Sequence, residues 1–215
     1  MKGISVNGKH SYNDFSLCVG ERTISPPNLK RITETVPYMN GEYDFSSING
    51  EIALESRSLS YEFDIAEITT EKMEEIKSNF LSWLYSIVDT NIFDDYLKNY
   101  YFHGSLDKID WSEDFGKGII TVTFSVDPYM YEINETTEKF EVNNTTDIII
   151  MTNSSHPIIT TISTTSEITI KVNDNSFSIP KGDFKSEDLK LQPGENKISI
   201  LGNATVSFTY RNEVL

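Results

Sequence analysis

The sequence predicts a mainly β protein with one amphipathic helix, and two patterns carry that prediction. Many short segments place apolar residues at every second position, which is typical of strands with one buried face. One segment, residues 70–87, instead spaces its apolar residues three or four apart, as one face of a helix requires. We therefore predict an α+β domain over residues 1–134 and an all-β sandwich over residues 135–215.

Composition restricts the class of protein before any motif is considered. The chain has 215 residues, 38% of them hydrophobic and 12% aromatic, which fits a globular protein. Its formal net charge of −15 disfavours sequence-specific nucleic-acid binding and an anionic membrane surface. The longest apolar run, Ile148–Met151, is too short for membrane insertion, and the first residues predict no secretory signal. Cys18 is the one cysteine, so no disulfide framework is expected and a reducing cytosol is the expected site of synthesis.

The first part of the chain reads as short strands. Ile4–Val6 predicts a strand that enters a type I′ turn at Asn7-Gly8. The alternation of Phe15, Leu17 and Val19 predicts a second strand. An extended segment at 29–37 and two more strands, at 52–54 and 59–65, follow.

The helix is predicted by one apolar face, made of Met73, Ile76, Phe80, Trp83, Leu84 and Ile87. Thr70 is the expected N-cap, and the glutamates of the first turns lie near the positive end of the helix dipole. Because the polar face is not strongly basic, packing on a sheet is favoured over binding to a membrane or a partner helix.

A clean strand, Ile120 to Val126, is expected to close the first domain, since Asp127-Pro128 ends the ladder. Residues 135–141 read as a polar connection. Beyond it the sequence predicts no helix and six short strands, at 148–151, 158–162, 168–172, 177–179, 197–201 and 205–210.

No pattern of catalytic, cofactor-binding or metal-ligating residues emerges. The three histidines, His10, His103 and His156, are scattered, and there is no nucleophile elbow or phosphate-binding loop. An acidic cluster is interpreted as a solvated loop, with a glycosidase acid and base as the alternative: Asp107, Asp110, Glu113 and Asp114. The sequence leaves a Ser-His-Asp arrangement open as an alternative, and we expect no cofactor.

Several ordered features resemble the distal tail protein family of long, flexible-tailed (siphovirus-type) bacteriophages. The Phe15 segment is followed by Val36-Pro37-x-x-Asn40-Gly41-x-Tyr43-Asp44, and Tyr61-x-Phe63 then precedes the helix. The aromatic segment Tyr100 to Gly104 comes next, and then the strand that ends in Asp127-Pro128-Tyr129-Met130-Tyr131. Residues 191–198, Gly202 and a last strand into Arg211 fit the closing pattern of the family. The resemblance covers nearly the whole chain.

The resemblance implies a structural virion protein of the viral tail tip that is not an enzyme and is made in the cytoplasm of the host bacterium. Members form a hexameric ring from the N-terminal domain, and a galectin-like β-sandwich projects from it as the C-terminal domain. The ring is a baseplate hub that joins the tail tube protein to the tail-associated hub protein, and in many phages it anchors a receptor-binding protein. This chain has no room for the large insertions of sugar-binding members, so direct host binding is not expected.

Six copies of −15 would give a ring a formal charge of −90, which would repel DNA phosphates from a carboxylate-lined lumen and let the genome slide through. The alternative is that the charge only keeps the outer surface soluble.

A closed ring needs two different complementary faces on each copy. We expect one of them to include the extended segment that carries exposed apolar residues and turn signals: Val36, Pro37, Tyr38, Met39, Asn40, Gly41 and Tyr43. An ordinary surface hairpin of one subunit is an equal alternative for this segment. For the whole protein, the alternative function is a carbohydrate-binding module or adhesin on a β-sandwich scaffold.

Overall fold

The computed structural model describes residues 1–47, 53–66, 69–114, 117–172 and 175–215, and all of their side chains except that of Asp114. The chain divides into two compact units, Met1–Pro128 and Tyr129–Leu215. Strands dominate both units, and the predicted mainly β fold class is confirmed.

The first unit is built on an antiparallel sheet with one long helix. Its strands are β1 (Ile4–Val6), β2 (Lys9–His10), β3 (Val19–Ile24), β4 (Thr33–Glu34), β5 (Tyr43–Asp44), β6 (Arg57–Ala66), β7 (Thr90–Asp94), β8 (Tyr100–Asp114) and β9 (Lys117–Val126). Its helices are α1 (Ser11–Phe15) and α2 (Thr70–Leu84). Seven of the strands follow the order β2-β1-β7-β8-β9-β6-β3, while β4 and β5 form a separate hairpin.

The centre of this sheet confirms the predicted alternation. Leu59 of β6 pairs with Phe124 of β9, and Phe63 pairs with Ile120, with all four side chains fully buried. Helix α2 packs on the same face, because the Phe80 ring meets the Phe63 ring edge-on at a centroid distance of 5.0 Å. The helix predicted from apolar spacing therefore covers the sheet as expected.

Two details of the helix prediction are wrong. The N-cap is Thr69 rather than Thr70, because Thr69 has extended φ and ψ and its hydroxyl accepts a hydrogen bond from the Lys72 N–H at 3.4 Å. Ile87 lies beyond the last helical residue, although it is still buried.

The strand predicted from Phe15, Leu17 and Val19 is also wrong over its first half. Phe15 instead ends the short helix α1, and β3 begins only at Val19. The imidazole Nδ1 of His10 accepts hydrogen bonds from the N–H groups of Tyr12 and Asn13, at 3.0 and 3.2 Å, and so caps α1. By contrast the turn at Asn7-Gly8 is confirmed, since both residues have the positive φ of a type I′ turn.

The strand predicted at 52–54 lies partly outside the described residues, and Leu54 forms a single antiparallel bridge with Leu29. The acidic cluster is not on a loop. Asp107, Asp110 and Glu113 lie on β8 with exposed side chains, and Lys108 forms an ion pair with Asp110 at 2.8 Å.

The close approach of β8 and β9 at Gly104 leaves no room for a side chain at this position. A Cβ atom at this position would lie 2.2 Å from the Ser125 carbonyl oxygen and 2.6 Å from the Val126 Cα. We predict that Gly104→Ala lowers the free energy of unfolding by roughly 1–3 kcal/mol, because backbone atoms cannot move aside as a flexible side chain can. Urea unfolding would measure the loss. Gly20→Ala is the control, since the nearest atoms to its Cβ are 3.6 Å away or more, and a similar loss there would contradict the steric explanation.

Because of Tyr61, the stability of the first unit is expected to depend on pH in the alkaline range. Burial of its ring, and secondarily the neighbouring Asp94 carboxylate, raise the pKa of Tyr61 far above its ordinary value. The folded protein keeps this phenolic proton while the unfolded chain releases it near pH 10. The stabilisation is therefore fully present below about pH 10 and is lost above it, by about 1.4 kcal/mol per pH unit for this group.

Denaturant unfolding at pH 8 and pH 11 would check this expectation. Tyr61→Phe has no proton to release, so its stability should fall less steeply over that interval. Equal slopes in the two proteins would contradict the assignment to Tyr61.

The second unit contains no helix among its described residues. Its strands are β10 (Met130–Glu132), β11 (Thr136–Thr152), β12 (Ile158–Thr164), β13 (Ile168–Val172), β14 (Asn175–Ile179), β15 (Gly182–Leu191), β16 (Gly194–Tyr210) and β17 (Glu213–Val214). β11 and β16 pair along their whole length, and the order of the sheet is β14-β13-β16-β12-β15.

The long strand β16 pairs with three other strands of this sandwich, β11, β12 and β13. Its first half pairs with β13 and its second half with β12, and Gly202 lies between the two halves with a φ of +140°. Asn144, which is paired with Gly202, also has a positive φ. Strands that bend at such positions can pack two layers over one core, which here includes Ile150, Ile170 and Phe208.

Three predictions for this half are corrected. Residues 135–141 are not a connection, because β11 begins at Thr136. The segments 197–201 and 205–210 are one strand, and β15 was not predicted at all. In β15 most residues are exposed, and the buried apolar alternation is limited to Leu189 and Leu191 at its end.

Candidate assembly surface

Residues 28–55 connect β3 to β6, and we call them the arm. The structure describes residues 28–47 and 53–55 of it. At its base Lys30 N–H donates to the Ala53 carbonyl and Glu55 N–H donates to the Asn28 carbonyl, both at 2.8 Å. Further out, β4 and β5 pair antiparallel through residues 33–34 and 43–44.

Local hydrogen bonds give the arm its shape. The Ser46 hydroxyl accepts from the Ile32 N–H at 2.9 Å, and the Asp44 carboxylate accepts from the Ser46 N–H at 2.8 Å. Hydrogen bonding from the Ser46 side chain, and secondarily from the Ser46 N–H, holds the pKa of Asp44 below its usual range. At the tip, Met39 N–H donates to the Val36 carbonyl, while Tyr38 and Gly41 have φ values of 68° and 89°.

The arm is exposed almost throughout. Within residues 28–47 all residues except Met39 and Ser46 are exposed. The exposed residues include six large apolar side chains, namely Leu29, Ile32, Val36, Tyr38, Tyr43 and Phe45. A two-stranded hairpin is marginal in water on its own, and a cluster of exposed apolar residues usually marks an interaction surface. The arm is therefore the strongest candidate for a binding surface in the first unit.

The seven residues predicted for an inter-subunit contact all lie on the outer part of the arm. They are Val36, Pro37, Tyr38, Met39, Asn40, Gly41 and Tyr43, and Tyr38 is completely exposed. Sequence reasoning missed Leu29, Ile32 and Phe45. The alternation of Tyr43 and Phe45, whose rings stack at 6.2 Å, was the available signal for the last of these.

Charge differs between the two parts of the arm. The outer part, residues 33–44, carries Glu34, Glu42 and Asp44 and no lysine or arginine. The inner part carries Lys30 and Arg31 together with Glu51 and Glu55, so its formal charges balance. A surface that receives the tip of the arm is therefore expected to be apolar with positive charge at its edge.

The described residues contain no group of histidine, cysteine and carboxylate side chains that could hold a metal ion. Each histidine is paired with a different carboxylate: His10 with Asp95, His103 with Asp89 and His156 with Glu213. Among the described helices none has the length and apolar character needed to cross a bilayer.

Comparison with known proteins gives a likeness of structure but not of sequence. No protein-family model matches the chain, and no curated protein matches it. The crystal structure of the phage SPP1 Dit protein, described as a paradigm of hub adsorption apparatus in phages that infect Gram-positive bacteria, matches with a TM-score of 0.70. The identity is 15%, over 98% of this chain and 99% of that one.

Two structures of the phage p2 baseplate in its activated conformation give lower scores. With strontium the TM-score is 0.46 at 7% identity, covering 99% of this chain and 98% of that one. With calcium it is 0.41 at 8% identity, with the same coverage of both chains. Likenesses this weak carry no argument, and the one with SPP1 Dit shows the fold. The resemblance to distal tail proteins predicted from the sequence is thereby confirmed for the fold.

Proposed function

We propose that this chain is a structural protein of a siphovirus-type tail tip, where six copies form the ring of a baseplate hub. The observation that carries the proposal is the fold shared with SPP1 Dit, which extends over 98% of this chain and 99% of that one. The chain acts by assembly and not by catalysis.

In this role residues 1–134 form the ring and residues 135–215 form a peripheral, galectin-like domain. One side of the ring meets the tail tube protein and the other meets the tail-associated hub protein, with a receptor-binding protein as a further partner. The protein is made in the host cytoplasm and works in the virion.

The arm supports the ring as the form of assembly. The large apolar side chains of the arm are not buried by any other part of the described structure. A cyclic ring requires that one surface of each copy contact a different surface of the next copy. We propose that the seven residues from Val36 to Tyr43 make one side of that contact.

Negative-stain electron microscopy of the purified protein tests the proposal. Class averages should show sixfold rings with a central hole. A monomer that binds glycans through residues after about 140 would instead favour the carbohydrate-binding alternative and contradict the ring.

A further inference from the structure

A groove of about 790 Å³ lies on the first unit, where the β1–β2 turn and α1 face α2. It is lined by residues of both helices and of the turn, and no described arm residue lines it.

The floor of the groove includes two aromatic residues, Phe15, which is half-buried, and Trp83, which is only 4% exposed. The Phe15 ring stacks on the Trp83 ring with centroids 5.0 Å apart and an angle of 21° between their planes. Trp83 is held in place because its indole N–H donates to the Val6 carbonyl at 3.2 Å. Ile76 adds an aliphatic side chain to the lining. Such a rigid apolar floor suits an aromatic side chain as its ligand.

The rim of the groove carries positive charge. Lys9 and Lys72 both line it, and neither makes an ion pair with a described residue. The Lys9 ammonium lies 5.7 Å from the centroid of the Phe15 ring. Asp14 is the one acidic residue of the lining. In a chain of net charge −15, two lysines beside an apolar floor suit an acidic, aromatic partner.

The tip of the arm has the complementary features. Tyr38 is a completely exposed aromatic side chain, and the outer part of the arm has three carboxylates and no basic residue. The arm follows β3, whereas the groove is formed beside β2 and β1, which lie at the other end of the strand order. A surface at one end that binds a surface at the other end gives a heterologous contact, which repeats from copy to copy.

We propose that the arm of one copy docks into this groove on a second copy of the same chain. Tyr38 lies on the floor formed by Phe15 and Trp83, and Glu34 and Glu42 lie near Lys9 and Lys72. This inference rests on the proposed function and deepens it, since it names the two surfaces that join neighbouring copies in the ring.

Cysteine cross-linking between copies tests the docking directly. In a Cys18→Ser background, one chain carries Asn40→Cys at the tip of the arm and the other carries Asn79→Cys on the groove. Oxidation of the mixture should give covalent dimers at least about tenfold faster than a mixture in which Ser112→Cys, an exposed site on β8, replaces Asn79→Cys, because docking raises the effective thiol concentration. Equal rates in the two mixtures would overturn the docking.

Charge reversal provides a second test that does not depend on cysteine geometry. Lys9→Glu with Lys72→Glu should weaken assembly, as should Glu34→Lys with Glu42→Lys, and the mixture of both variants should assemble better than either alone. Failure of the mixture to recover would overturn the pairing of these charges.

The outcomes separate this inference from the function on which it rests. Sixfold rings without the Asn40–Asn79 cross-link would overturn the docking and leave the ring standing. Cross-linked chains that never close into rings would support the docking and contradict the hexamer. A protein that stays monomeric at every concentration and forms no cross-link would contradict both.

Discussion

Replacing Tyr38 with alanine is expected to dissociate the proposed ring into monomers while leaving the fold of each copy unchanged. Tyr38 is completely exposed in the single chain, so its removal costs little folding free energy. An aromatic side chain that anchors an interface is worth roughly 2–4 kcal/mol, which corresponds to about 30- to 1000-fold in the dissociation constant of each contact. Because a closed ring repeats the same contact six times, the loss is amplified in the assembly.

Sedimentation velocity over a range of concentrations would measure this effect, with thermal unfolding as the check on the fold. Ile149→Ala is the matched control, since Ile149 is also a large apolar side chain exposed by more than half but lies outside the arm. A Tyr38→Ala protein whose rings are as stable as those of the wild type would show that the tip of the arm is not part of the interface.

The second large effect is expected at Asp94, a buried residue at the end of β7 that is only 3% exposed. Its carboxylate accepts hydrogen bonds from the Tyr61 hydroxyl at 2.9 Å, from Arg22 Nη1 at 2.8 Å and from the Tyr96 N–H at 2.8 Å. Asp94→Ala should lower the free energy of unfolding by roughly 3–5 kcal/mol, because it leaves the Tyr61 hydroxyl and the Arg22 guanidinium without their acceptor.

Urea unfolding of Asp94→Ala, Asp94→Asn and the double variant Arg22→Ala/Asp94→Ala would check this expectation. Asparagine keeps an acceptor and should cost less than alanine. The double variant should cost less than the sum of its single variants, since each removes the same ion pair. A loss below about 1 kcal/mol in Asp94→Ala would show that this cluster does not stabilise the first unit.

The elements that sequence predicted well are those in which burial alone decides the structure. The strand from Ile120 to Val126 and helix α2 have apolar residues at the period of their element, and the structure buries them. The strand predicted at Phe15 does not form, because the His10 side chain caps the start of α1 and Ser16 ends the helix with a left-handed backbone conformation. Neither feature can be recognised in a hydrophobic pattern. β15 was not predicted because its side chains are mostly exposed and polar.

The two candidate surfaces, the tip of the arm and the groove, also differ in how far the sequence could predict them. The tip of the arm could be predicted from one continuous segment, since Pro37 and Asn40-Gly41 mark a turn beside exposed apolar residues. The groove could not, because Lys9, Phe15 and Trp83 meet only after α1 and α2 have packed together. Residues separated by about seventy positions carry no local signal of their contact.

The absolute molar mass of the purified protein in solution, from multi-angle light scattering at increasing concentration, tests the ring most directly. Six copies of a 24.5 kDa chain predict a species of 6 × 24.5 = 147 kDa. This mass should be retained at all protein concentrations above the dissociation constant of the ring. A constant mass of 24.5 kDa up to the highest soluble concentration would contradict a ring formed by this chain.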